Sequence, residues 1–220
     1  MHPGTLVLMT RSPRAGATKT RLIPALGAEG AAQLAAAFLD DLVERFGSFP
    51  IANRVLAWAD HGPAAGEERP GFQTHLQGSG DLGARMVRLH RALEGPVVFM
   101  GSDAPTLPAA AVSECLELLE AGAPVVLQPA VDGGFTLAGL GGDPEALFTA
   151  IPWGTPRVLD TVLERAELLP LEVRLLEPWY DVDEAADLSR LRDHLRTLKG
   201  QEMYAARTAA TIERILETKA

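Results

Sequence analysis

The chain of 220 residues predicts a doubly wound α/β fold, a mixed but mostly parallel sheet with helices on both faces. Three observations carry this expectation. Short apolar runs alternate with helical patterns from residue 5 to residue 128. The run Val97-Val98-Phe99-Met100 has no polar position, as suits a strand covered on both faces. Loops rich in glycine and charge follow several of the strands, where such sheets hold ligands.

The elements follow in order. Thr5-Leu6-Val7-Leu8-Met9 is a first strand, and residues 11–20 form a loop rich in Gly, Pro and cations. Residues 30–46 form a helix whose Leu34, Phe38, Leu42 and Phe46 recur on one face. Residues 54–59 give a second strand, 61–71 a Gly/Pro/Glu-rich loop and 72–76 a short third strand. The helix over 81–93 turns Leu82, Met86, Leu89 and Leu93 inward. After strand 97–100 come a helix over 109–121 and a strand over 124–128. Beyond Asp132 the alternation breaks, and residues 132–140 read as a turn into an exposed or antiparallel strand. The sequence around Trp153 is irregular. A strand over 171–176, an extended piece over 179–183, a helix from 188 and an amphipathic helix over 202–219 complete the chain. Residues 1–199 are expected as one domain, with 200–220 a helix packed on it or extending from it.

Hydrophobic residues at 47% and charged residues at 22% place the chain among globular proteins. A formal net charge of −9 argues against a nucleic-acid partner, which needs a basic face. The single cysteine, Cys115, rules out an intrachain disulfide. It shares an apolar helix face with Val112, Leu116 and Leu119 and reads as packing. No run approaches the ~18 apolar residues of a membrane span. The apolar start lacks a basic flank and a small-residue cleavage site. A cytoplasmic setting without a membrane partner is expected, and a homodimer stays open.

Five stretches, with Trp153 beside them, carry the chemistry. In Gly101-Ser102-Asp103-Ala104-Pro105 an acid follows a buried strand at once, where a phosphate-bound metal would be held; the alternative is a cap on the helix near Pro108. The loop after the first strand gathers Arg11, Arg14, Lys19 and Arg21 around Gly16, a composition suited to phosphate, although it lacks the Walker A pairing. In Gln77-Gly78-Ser79-Gly80-Asp81-Leu82-Gly83-Ala84-Arg85, Asp81 can cap the following helix, and the glycines let backbone approach a ligand. In Asp181-Val182-Asp183 the two acids point to one side, and Asp187 lies one turn into a helix whose dipole favours it. Magnesium commonly takes one or two carboxylates and leaves its other positions to water and phosphate. Asp103 with Asp181 or Asp183 supplies that number. Asp132-Gly133-Gly134 is a hairpin turn or a second acid over the same crevice, and Trp153 either packs or stacks on substrate.

Taken in order, these motifs resemble a bacterial family of glycosyltransferase-like proteins in the nucleotide-diphospho-sugar transferase (GT-A) superfamily. The matching residues are Pro13, Gly16 and Lys19-Thr20-Arg21-Leu22; Gly80-Asp81-Leu82-Gly83 with Arg85-Met86; and Gly101-Ser102-Asp103 with Pro105. Asp132-Gly133-Gly134, Trp153 with Thr155, and Asp181-Val182-Asp183 with Asp187-Leu188 complete the set. The first and third are also similar to 2-phospho-lactate guanylyltransferases. The resemblance implies a single GT-A-like α/β/α sandwich.

It also implies that Asp103 and Asp183, with Asp181 beside them, hold Mg2+ or Mn2+, and that Lys19 and Arg21 clamp phosphates. The nucleotide side takes in Arg11, Gly16, Ser102, Gly78, Gly80, Asp81 and Gly83. The acceptor side takes in Asp132, Gly133, Gly134, Trp153 and Thr155. Lys19, Arg21 and Asp103 are the expected catalytic residues. The expected reaction is nucleotidyl transfer from an NTP to a small phosphorylated or acidic acceptor, with glycosyl transfer from an NDP-sugar and non-catalytic nucleotide binding as alternatives. Arg11, Phe135 and Gly154 stand where the family has lysine, tyrosine and serine; the last two each lack a hydroxyl.

Overall fold

Successive residues of the first strand are buried on opposite sides, and this two-sided burial organises the molecule. The computed structural model describes residues 2–59, 68–201 and 204–219. The first strand, β1 (His2–Thr10), leads through a 3-10 turn (Thr20–Leu22) into α1 (Ile23–Phe46). There follow β2 (Ile51–Trp58), β3 (Gln73–Leu76), α2 (Leu82–Ala92), β4 (Val97–Gly101) and α3 (Ala109–Glu120). The second half holds β5 (Val125–Pro129), β6 (Phe135–Leu140), α4 (Glu145–Phe148), α5 (Val158–Leu168), β7 (Val173–Leu175), α6 (Ala185–Leu198) and α7 (Ala206–Lys219).

The strands form one seven-stranded sheet in the order β3-β2-β1-β4-β6-β5-β7. All pairings are parallel except those of β6, which runs antiparallel between β4 and β5. Leu6 and Leu8 pack against α1 and α3, while Val7 packs with Met86 and Leu89 of α2 and Val162 of α5. Each fully buried Leu or Phe in these layers contributes about 1.5–3 kcal/mol. A third cluster joins Leu34 and Phe38 of α1 to Leu191 of α6 and Ile212 and Ile215 of α7. Asp41 fixes that last helix. Its buried carboxylate accepts the Arg207 and Thr208 backbone N–H groups at 3.0 and 2.8 Å, as an acid at a helix N-terminus does.

The predicted sandwich is the one observed, with local corrections. The antiparallel strand after Asp132 is not exposed: Thr136 to the end of β6 is buried, because β6 inserts between two strands instead of forming an edge. The first long helix begins at Ile23, not at residue 30, with Pro24 in its first turn and a break at Gly27 (φ 76°). The irregular sequence around Trp153 is flanked by α4 and α5, and the Val158, Val162 and Ala166 spacing was the available signal for α5. The final helix begins at Ala206. Residues 202 and 203 of its expected start, and 61–67 of the expected loop, lie outside the described residues. Thr20–Phe46 is, by length and composition, apolar enough to cross a membrane, contrary to the expectation of no such segment. Its Leu39, Leu42 and Phe46 instead pack on the sheet, and Leu26, Leu34 and Phe38 face the third cluster. Cys115 is fully buried and packed, its thiol pushed up by burial and by the Glu114 charge.

Candidate functional site

The strand order reverses between β1 and β4, since β1 leads outward to β2 while β4 lies on the other side. A crevice opens beyond the carboxyl ends of strands at such a switch point. Here it is a cleft of about 790 Å³.

Asp103 stands on its floor. It does not cap α3, whose N-cap is Pro108 without a side-chain bond. Arg45 of α1 pins the turn after it by donating to the carbonyls of Pro105 (2.7 Å) and Leu107 (3.0 Å). Ser102 also faces the cleft, and its Oγ accepts a bond from Thr10 at 3.2 Å.

The cationic loop ends in Lys19, whose left-handed backbone (φ 49°) turns its side chain inward. Its Nζ lies 2.5 Å from Asp103 Oδ1 and 2.7 Å from Asp183 Oδ1, and donates to the Val182 carbonyl at 2.7 Å. Burial opposes the ammonium charge, but the two carboxylates outweigh it and raise the Lys19 pKa. Lys19, expected to grip phosphate, is thus engaged by two carboxylates. The freer cations are at the rim: Arg11 is exposed, and Arg21 is 64% exposed with a 3.5 Å contact to Glu184. Both line the cleft, whereas Gly16 does not.

The 179–187 segment forms the adjacent wall. Trp179 bridges to Ala130, and the Val182 N–H donates to the Asp103 carbonyl at 2.9 Å. Val182 is buried, so the alternation of an extended chain brings Asp181 and Asp183 to the cleft side. Burial pushes the Asp181 carboxyl up to about 6, assisted by the charges of Asp132, Asp183 and Asp103. Asp187 completes a capping box with Glu184, its Oδ2 accepting the N–H groups of Asp183 (3.0 Å) and Glu184 (2.7 Å). It therefore holds the backbone of Asp183.

Opposite lies the wall built by the Asp132-Gly133-Gly134 turn. Asp132 accepts the Gly134 N–H at 2.9 Å. A Cβ on Gly133 (φ 89°) would meet the Pro156 carbonyl oxygen at 2.1 Å, so only glycine lets the two loops close. Trp153 is half-buried among Phe135 and Phe148 and lines the cleft, which combines the packing and stacking alternatives. Thr155 lines it too, but its hydroxyl donates to Pro152 at 2.8 Å.

The glycine loop lies between two residues that line the cleft, Gln77 and Leu82. Asp81 caps α2, accepting from Ala84 N–H at 2.8 Å. Gly83 is buried against Phe148 and Trp153, which a Cβ would approach to about 3.0 Å or less. Gly78, Gly80, Asp81, Gly83 and Gly133 are not among the cleft-lining residues. Arg85 and Arg88 grip the loop carbonyls of Gly80, Gln77 and Ser79, and α2 itself presents Leu82, Arg85 and Met86 to the cleft. Gln77 and Arg85 have no role legible in the sequence, and no local pattern points to Arg45. A glutamine closing a strand before a Gly-Ser-Gly turn was the only signal for Gln77.

Among the described residues no three His, Cys, Asp or Glu side chains converge to hold a metal by themselves. Asp103 and Asp183 do share one point, now held by the Lys19 ammonium, with Asp181 and Asp132 adding negative charge nearby. Hard oxygen donors in that surplus suit a divalent cation of the magnesium type, with phosphate or water completing its shell.

Residues 42–155 match the family described as "Uncharacterized protein conserved in bacteria (DUF2064)". The chain belongs to this family. The DUF2064 match takes in Asp103, the Asp132-Gly133-Gly134 turn, Trp153 and Thr155, while Lys19 and Asp183 lie outside it. No curated protein matches the sequence. Among solved structures, a Desulfovibrio desulfuricans G20 protein carrying a provisional name as a nucleotide-diphospho-sugar transferase is 27% identical, with a TM-score of 0.83 over 97% of this chain and 96% of that one. A cytidylyltransferase from Leptospira borgpetersenii serovar Hardjo-bovis (strain JB197) is 13% identical, with a TM-score of 0.61 over 100% of this chain and 95% of that one. A CMP:2-keto-3-deoxy-manno-octonic acid synthetase complexed with CTP, 12% identical, has a TM-score of 0.57 over 90% and 99%. The last two share the fold, a GT-A-like α/β/α sandwich.

Proposed function

We propose that this DUF2064 protein is a transferase that binds a nucleotide in the cleft and transfers its nucleotidyl group from an NTP to a small phosphorylated or acidic acceptor. The observation that carries the reading is the meeting of Asp103 and Asp183 on one ammonium at the switch point, with Arg11 and Arg21 at the rim. The resemblance to nucleotide-diphospho-sugar transferases and cytidylyltransferases supports the class.

In this reading an acceptor oxygen attacks the α-phosphorus. The bond from that phosphorus to the bridging oxygen breaks, and pyrophosphate leaves. A phosphate or carboxylate acceptor is already deprotonated, so no general base is required. Catalysis then rests on positioning and charge neutralisation. Arg21 and Arg11 meet phosphate oxygens from the rim, and Asp187 keeps Asp183 aimed at the floor. Asp132, Trp153 and Thr155 face the acceptor. Asp103 and Asp183, with Asp181 beside them, would hold Mg2+ or Mn2+, which when bound supplies positive charge to the phosphates.

The Desulfovibrio protein's name favours a second reading, glycosyl transfer from an NDP-sugar in the same cleft. Incubation with each NTP, a panel of phosphorylated and carboxylic acids, and Mg2+ separates the two. Pyrophosphate release that Asp103→Asn abolishes is the expected result. Saturable NDP-sugar binding with no pyrophosphate from any pair would move the assignment to glycosyl transfer. Nucleotide binding indifferent to metal and to Asp103→Ala would leave a non-catalytic binder.

A further inference from the structure

We propose that Arg85, oriented by Gln77, selects the nucleobase and takes one that offers two adjacent hydrogen-bond acceptors on one edge, as guanine and cytosine do. The inference rests on the nucleotide reading above and goes beyond it to the identity of the base.

Gln77 is 3% exposed and follows β3 directly, its N–H bonded to the Trp58 carbonyl at 2.8 Å. Its Nε2 donates to the carbonyls of Thr10 (3.1 Å) and Ala57 (2.8 Å), at the ends of β1 and β2. Carbonyls only accept, so the reverse amide orientation would set oxygen against oxygen. The orientation is therefore fixed, and Oε1 is left to receive Arg85. Arg85 Nη1 approaches it at 3.4 Å, while Arg85 Nε donates to the Gly80 carbonyl at 2.8 Å. A guanidinium has five N–H groups. Among the described residues those two bonds leave three, on a half-buried side chain that lines the cleft.

The surroundings suit a flat ring. Leu82, 37% exposed, and Met86 flank Arg85 on α2, and Met9 and Ala59 line the same cleft. Gln77 leaves β3 and Asp103 leaves β4, three strand positions apart in the sheet. At ~4.8 Å per strand this is roughly 14 Å, which leaves room for a ribose and the first phosphates between base and floor.

Every free hydrogen on Arg85 is a donor. Guanine O6 with N7, or cytosine O2 with N3, accepts two such donors side by side. Adenine sets its amino group beside N7, and uracil sets N3–H between its carbonyls, so each meets donor with donor. Two adjacent acceptors decide the choice.

The test is equilibrium binding of the four nucleoside triphosphates and the four diphosphates to the full-length protein, with inorganic tripolyphosphate as a base-free probe. GTP or CTP, with the matching diphosphate, is expected to bind roughly 10- to 100-fold more tightly than its ATP and UTP counterparts. The two arms identify which. Arg85→Ala should remove that preference, leaving tripolyphosphate affinity unchanged and ATP and UTP affinity no lower than in the parent. Arg85→Lys, which keeps charge but not the fork, should also lose it, and it serves if Arg85→Ala does not fold. Equal affinity for all four bases, or preference for ATP or UTP, overturns the inference while the nucleotide reading stands. So does a variant that weakens tripolyphosphate and every nucleotide alike. Absence of binding by any probe overturns both.

Discussion

Lys19 and Asp103 form the closest charged contact in the cleft, 2.5 Å from Nζ to Oδ1, and the same ammonium reaches Asp183. One cation thus holds two acids that arrive from distant parts of the chain. Lys19 is buried, while the carboxylates are about half in water, so the pairing is screened on one side only. Lys19→Met should lower stability by about 1–2 kcal/mol, between the exposed and buried limits. Mn2+ should restore most of that loss, because the ion then meets two uncompensated carboxylates. Thermal unfolding with and without Mn2+ checks this, and equal Mn2+ shifts in variant and parent would count against it.

Asp181 sets a pH dependence. Its carboxyl is pushed up to about 6 by burial and by the neighbouring acids, against about 3.9 in an unfolded chain. The folded state holds the proton more tightly, so this stabilisation is complete below about pH 4 and is lost as pH rises through about 6. Asp181→Asn should gain about 1–2 kcal/mol above pH 7, a figure reduced for solvent screening of a partly exposed group. Urea midpoints across that range should be flatter in the variant than in the parent.

Gly133→Ala should disrupt the acceptor wall. The added carbon meets the Pro156 carbonyl at 2.1 Å, and the backbone there has φ 89°. A loss of about 2–4 kcal/mol is expected from strain and loop displacement. Acceptor KM should rise while nucleotide Kd stays within about twofold, a split read from steady-state kinetics beside binding titrations.

Asp187→Ala should act through Asp183. The cap itself is worth about 1 kcal/mol. The larger effect should fall on metal-dependent turnover, since the Asp183 N–H loses its acceptor. Asp187→Asn keeps an oxygen at that point and should recover most of the activity. If both variants lose turnover equally, the positioning role fails.

Much of the layered fold could be read from periodicity alone. Val97-Val98-Phe99-Met100 announces a doubly covered strand, and Leu34, Phe38 and Leu42 mark one helical face, because burial imposes repeats of two and of 3.6. Asp81 was legible as a cap for the same local reason. The partners of Lys19 were not. Its neighbours in sequence suggest phosphate, and only the pairing of β1 with β4, together with the return of residues 179–187 beside β4, gives it Asp103 and Asp183.

The sequence by itself determined the α/β layering and the candidate acids, since hydrophobic spacing and strand-end chemistry are local. Tertiary structure decided what those residues do to one another. It inserted β6 into the sheet interior, tied the glycine loop to Arg85 and Arg88, and fixed Gln77 between two carbonyl ends. Charge pairing and amide orientation depend on distances across the chain, which strand order sets and local sequence does not encode.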